Sequence, residues 1–143
     1  MITKELVKEC LEILDLKFSE LESGAICVSF FSDDYFPYEV VTIIRLTDDG
    51  LLTFSSRAID YHPQGDLLEL ANRHNCRAHS PCCFIDSAGD VVMDRSFQLD
   101  KPVSPHYILE DVIKPGIYLP LESFACLELS DSMLDERNNS EDA

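Results

Sequence analysis

A chain of 143 residues that is 45% hydrophobic and 9% aromatic is long enough to bury one core and too apolar to stay disordered. Its 27 Asp and Glu against 11 Lys and Arg give a formal charge of −16, which excludes most phosphate-backbone binding, because that needs clustered cations. The same charge sets the chain against an anionic membrane surface.

The first predicted element is a helix over residues 3–16. Leu6, Val7, Cys10, Leu11, Ile13 and Leu14 form one broad apolar stripe there, with Thr3 as N-cap and Glu5 favouring the positive end of the helix dipole. Gly24 punctuates the chain before a β-branched and aromatic strand over 25–31. Ser32, Asp33, Asp34 and Pro37 read as a connection. Residues 39–46 (EVVTIIRL) are the strongest strand signal, and Thr47-Asp48-Asp49-Gly50 turns the chain into a return strand over 51–59. Asp66 caps a second helix over 67–75. A second hairpin joins 77–86 to 91–99 around Ser87-Ala88-Gly89-Asp90, with Val91, Met93, Phe97 and Leu99 on one face. Ser104-Pro105 starts a helix running to Ile113, which Pro115-Gly116 stops or kinks. A further helix is predicted over 121–129, and the acidic residues 130–143 as a disordered tail.

The element order is therefore α-β-β-β-α-β-β-α in one domain of residues 1–129. Short connections make the fold class α+β, an antiparallel sheet of about five strands with helices packed on it. Lys8, Glu9 and Glu12 break any secretory leader, and no apolar run approaches membrane length. The expected location is cytoplasmic, with six reduced cysteines, of which Cys27, Cys83 and Cys126 are placed in the core.

Tests for chemistry return nothing. Cys82 and Cys83 point to opposite faces of a strand, so they cannot share a metal. His74, Cys76, His79 and Cys82 superficially resemble zinc ligands, but no second CxxC or HxxxH pair completes a site. No nucleophile turn accompanies any Cys and His pair, no calcium loop surrounds Asp33-Asp34 or Asp48-Asp49, and 5 glycines form no phosphate cradle. No catalytic residue, metal site or cofactor is assigned. Arg95 interrupts the apolar face of the last strand, where it either snorkels, meets a carboxylate or binds a ligand.

The amphipathic N-terminal helix, the VVTIIRLTDDGLLTF hairpin, the helix LLELANRHN, the hairpin FIDSAGDVVMDRSFQLD and the Ser-Pro helix start together resemble the YbjN family of bacterial proteins. That family's domain is similar to type III secretion chaperones, and the resemblance covers about residues 3–129. It implies an α+β domain, commonly dimeric, without enzymatic activity and with a chaperone-like or regulatory role. The Pro115-Gly116 break, where the family would carry a longer final helix, and the extra cysteines depart from it.

The expected function is a non-enzymatic protein-interaction module, with a small-molecule sensor carrying a pocket between helices and sheet as the alternative. Strand patterning points to self-association. Val41 and Ile43 alternate with Val40, Ile44 and Leu46, and Cys27 and Phe31 with Ile26, Val28 and Phe30, so both sheet faces are apolar and both need cover. Leu67, Leu68, Leu70 and Ala71 make the second helix's stripe too wide for one contact, so Leu67 or Leu68 must turn from the sheet, and Leu67, Leu68 and Ala71 are the candidate partner surface. A C2 homodimer is predicted, using that helix and neighbouring strands.

Overall fold

Thr3 opens the first helix as its chemistry predicts, its hydroxyl accepting from the Leu6 N–H at 3.2 Å. The computed structural model describes residues 1–32, 36–76 and 81–141, with side chains for 1–31, 36–76 and 81–133. Asp33-Asp34 and His79 therefore lie outside the described residues. Helix α1 (Lys4–Ile13) buries Val7, Cys10 and Leu11. It ends sooner than its apolar stripe, leaving Ile13 exposed.

Six strands follow: β1 (Phe18–Glu20), β2 (Ile26–Ser32), β3 (Phe36–Leu46), β4 (Leu51–Ala58), β5 (Cys82–Ile85) and β6 (Val91–Gln98). They form one antiparallel sheet in the order β1-β2-β3-β4-β6-β5. The sixth strand is β1, three residues paired in the register Phe18↔Val28 and Glu20↔Ile26. Lys4 and Lys8 of α1 fasten it by binding the Glu20 carboxylate at 2.7 and 2.8 Å. Pro37, expected in a loop, sits inside β3 instead. It is tolerated because β3 pairs with β4 only from Val40 onward, so the missing N–H faces no neighbour there. Asp49-Gly50 turns β3 into β4 with Gly50 at φ +87°, and a side chain there would meet the Leu99 carbonyl oxygen at 2.7 Å.

The two lysines hold the Glu20 carboxyl down at about 2, through hydrogen bonds first and charge second. A folded pKa below the unfolded one gives stability that is complete above pH 4.5, the ordinary value, and lost as pH falls through about 2. Carbon-detected NMR titration should find the Glu20 carboxyl near that low value, and replacing Lys4 and Lys8 with alanine should return it toward 4.5.

Asp66 caps helix α2 (Leu67–Asn75), accepting from the Glu69 N–H at 3.0 Å. The C-terminal elements depart most from expectation. Ser104 caps a helix as predicted, its hydroxyl accepting from the Tyr107 N–H at 3.2 Å. Beyond it α3 (Pro105–Tyr107), a π-helical segment (Ile108–Ile113) and α4 (Lys114–Glu141) run without a break. Pro115-Gly116 neither stops the helix nor ends the domain's ordered part. The wider turns before Pro115 absorb its missing donor. Gly116 is required by close approach, since a Cβ there would lie 2.6 Å from the Phe54 ring. The residues from 130 to 141, expected as a disordered tail, continue this helix, and Asp131 is buried.

Every described helix packs on the same face of the sheet. One core cluster joins Val7, Cys10 and Leu11 of α1 and Ile113 and Ile117 of the C-terminal helix to Ile26, Val28, Ile44, Leu52 and Phe54. A second joins Leu70 and Ala71 of α2 and Leu121, Phe124 and Leu127 of α4 to Phe36, Val40, Cys83, Val91 and Met93. Thr42 and Ser56, the polar pair on this covered face, satisfy one another at 2.7 Å. The result is two layers, with the other sheet face left open.

Candidate functional site

The three residues of α2 singled out by its stripe go to three different environments. Ala71 is buried in the second core cluster, Leu67 packs half-buried against it, and Leu68 is 74% exposed. A nine-residue helix with Leu70 and Ala71 toward the sheet turns position 68 outward, so of the three only Leu68 faces away from the core. The approach to α2 is fixed from the far end of the chain. The Asp131 carboxylate accepts from the Gln64 and Gly65 backbone N–H groups at 2.8 and 2.7 Å.

The open sheet face is built by alternation. Register places Ser19, Cys27, Ile43, Ser55, Asp94 and Cys82 in one row across all six strands. A flanking row holds Arg45, Thr53 and Ser96, with the Thr53 and Ser96 hydroxyls 3.2 Å apart. On the other side lie Ser29 opposite Val41, then Arg57, Val92 and Phe84. Arg57 spans β6 to reach Asp86 at 3.2 Å, and beneath that arm Val92 is fully buried. Val41, Ile43, Thr53 and Ser55 are half-buried without any helix above them. Phe31 and Phe84 stand exposed at opposite margins, 54% and 40% accessible.

Burial raises the Asp94 carboxyl above its ordinary range, opposed by the Ser55 hydroxyl and then by Arg45 and Arg57. Asp94 is thus a partly desolvated carboxylate at the centre of a face that carries two arginines. The Ser55 hydroxyl bonds it, and Cys82 stands opposite it on β5 as an exposed thiol at the sheet edge.

The Asn75 side chain accepts from the Cys83 N–H at 2.7 Å and donates to the Cys83 carbonyl at 2.8 Å, occupying the outer hydrogen bonds of β5 at that residue. At the opposite edge β1 pairs with β2 only from Ile26 to Val28, and no described strand pairs with the outer side of β2 beyond it.

Adjacent thiols part as strand geometry requires, Cys82 outward and Cys83 inward, with burial pushing Cys83 up to about 11. Cys27 and Cys126 are half-buried rather than core, whereas Cys10 is buried with Cys83. A thiol-reactive probe should modify Cys76 and Cys82 first, Cys27 and Cys126 more slowly, and Cys10 and Cys83 only on unfolding, as read by peptide mass spectrometry. Of the candidate zinc ligands, His74 is buried with Nε2 2.8 Å from the Pro81 carbonyl oxygen. Among the described residues no three His, Cys, Asp or Glu side chains converge as a metal requires. Arg95 is half-buried, with its guanidinium 4.8 Å over the Phe97 ring on the helix-covered face.

The cleft beside Tyr61 holds about 140 Å³ and the one beside Lys4 about 280 Å³, the second close to the roughly 300 Å³ at which small-molecule pockets begin. No described helix is long and apolar enough to cross a membrane. No family model, curated protein or solved structure matches this chain.

Proposed function

We propose that this chain is a non-enzymatic protein-interaction module of the YbjN type, chaperone-like or regulatory, that works as a homodimer. The observation that carries the reading is the two-layer architecture. The described helices that bury side chains against the sheet lie on one face, and on the other Val41, Ile43, Thr53 and Ser55 are half-buried with no described helix over them. Leu68 on α2 adds a second apolar point of contact, available to a partner protein. The resemblance of the hairpins and of the α2 sequence supports the family, and the final helix, unbroken through Pro115-Gly116, agrees with the longer one that the family carries. The half-buried apolar side chains of the open face favour this reading over the sensor alternative, for which the cleft beside Lys4, about 280 Å³, is the candidate pocket.

Native mass spectrometry of the purified chain separates the two readings. The module reading expects protein assemblies with no retained small molecule. A stoichiometric small ligand that survives purification would replace it with the sensor reading.

A further inference from the structure

We propose that the open sheet face is the contact between two copies of this chain, packed sheet on sheet, which leaves Leu68 of α2 free for other partners. The proposal rests on the homodimeric reading above and assigns its surface.

Charge selects the occupant. The chain carries −16, so two copies repel wherever acidic surfaces meet. The open face is far closer to neutral. Arg45 and Arg57 stand there against Glu39, Asp94 and the Asp86 carboxylate that Arg57 reaches, amid uncharged side chains. Glu39 is hydrogen-bonded by Ser29, and Arg57 is paired with Asp86 across β6. A second acidic copy meets less repulsion at this near-neutral face than the overall charge of −16 would impose. At the β5 edge Asn75 occupies the outer hydrogen bonds of Cys83, which opposes joining two copies by extending the sheet there. Face-to-face packing covers the half-buried apolar side chains of this face, and sheets pack so about 10 Å apart with side chains interdigitating.

The size falls at the lower end of specific interfaces. Five strands at about 4.8 Å spacing, five side-chain rows deep, cover on the order of 500 Å² in projection. A corrugated side-chain surface exceeds its projection, which brings it toward the roughly 800 Å² per partner of a standard interface. Phe31 and Phe84 at the margins supply aromatic contacts, and the hydroxyls of Thr53, Ser55 and Ser96 supply hydrogen bonds.

Sedimentation velocity of the full chain tests this with three variants, each checked for an intact circular-dichroism spectrum and thermal transition. Ile43→Arg and Ser55→Arg place like charges in the centre of the contact and are expected to weaken the dimer roughly a hundredfold, to particles of 16.2 kDa. Should Ile43→Arg disturb the fold, Ser55→Arg decides, because its side chain is polar and half-exposed. Leu68→Glu is expected to sediment as the wild type does. Raising salt from about 50 to about 500 mM should tighten the wild-type dimer, because it screens the repulsion between two acidic bodies. Dimers that survive both arginine substitutions, or that dissociate with Leu68→Glu alone, would overturn the assignment while sparing the homodimer. A wild-type chain that is monomeric throughout would overturn both.

Discussion

Replacing Gly116 with valine is expected to destabilise the protein by about 2–3 kcal/mol, the range for forcing extra atoms into a packed core. At this chain length that lowers the melting temperature by roughly 5–10 °C. The cause is steric. The first atom added at position 116 lands 2.6 to 2.7 Å from three carbons of the Phe54 ring. Phe54 is fully buried and wedged edge-to-face against Phe97 with centroids 5.9 Å apart, so it has nowhere to move. Helix propensity works in the opposite direction, since glycine inside a helix costs about 1 kcal/mol relative to alanine. A glycine serving as a helix stop would therefore gain from replacement, and this one loses. Pairing the change with Phe54→Leu should recover part of the loss, because the two residues share one contact. Thermal melts followed by circular dichroism of the four proteins of that cycle give the answer, and strict additivity would deny the contact.

Asp131→Ala should cost about 2–3 kcal/mol, because two backbone N–H groups lose a charged acceptor at once. The Gln64 and Gly65 donors lie 2.8 and 2.7 Å from its two oxygens, and Asp131 is 7% exposed. The loss also frees the segment that leads into α2, so protection of α2 amides in hydrogen exchange should fall. Ser132→Ala, one residue on and exposed, should leave the melting temperature within a degree or so of wild type, as surface substitutions usually do. Equal stability of the Asp131→Ala protein would place the residue in a tail after all.

Those two positions mark where sequence reasoning stopped short. Pro115, Gly116 and the acidic residues past 130 carry strong local signals for breaking a helix, and reading them locally ended the fold at 129. The competing signal was the stripe Ile117, Leu121, Phe124 and Leu127, all buried. Its tertiary burial outweighs the roughly 3 kcal/mol penalty of an interior proline such as Pro120. Strand β1 was hidden for a different reason. Three residues with no apolar alternation show no period, and what holds them is distant in sequence: β2 on one side and the lysines of α1. Local chemistry that is complete within a few residues was legible, as the caps Thr3, Asp66 and Ser104 demonstrate.

The candidate surface was legible in part. Alternation in β2 and β3 correctly separates Ile26, Val28, Val40 and Ile44, all buried, from Cys27, Val41 and Ile43, all half-buried. The width of the α2 stripe correctly requires one leucine to turn away from the sheet, but it also enlists Ala71, which the structure buries. The choice of helix-covered face is not written in the strands, because both sides are apolar. It is decided by α1, α2 and α4 packing together, a contact among elements more than a hundred residues apart at the extremes.

Light scattering of the wild-type chain at micromolar concentration tests the central claim most directly, that the open sheet face is covered in solution by another copy. The account predicts a single species at about twice 16.2 kDa, and a single species at 16.2 kDa would contradict it.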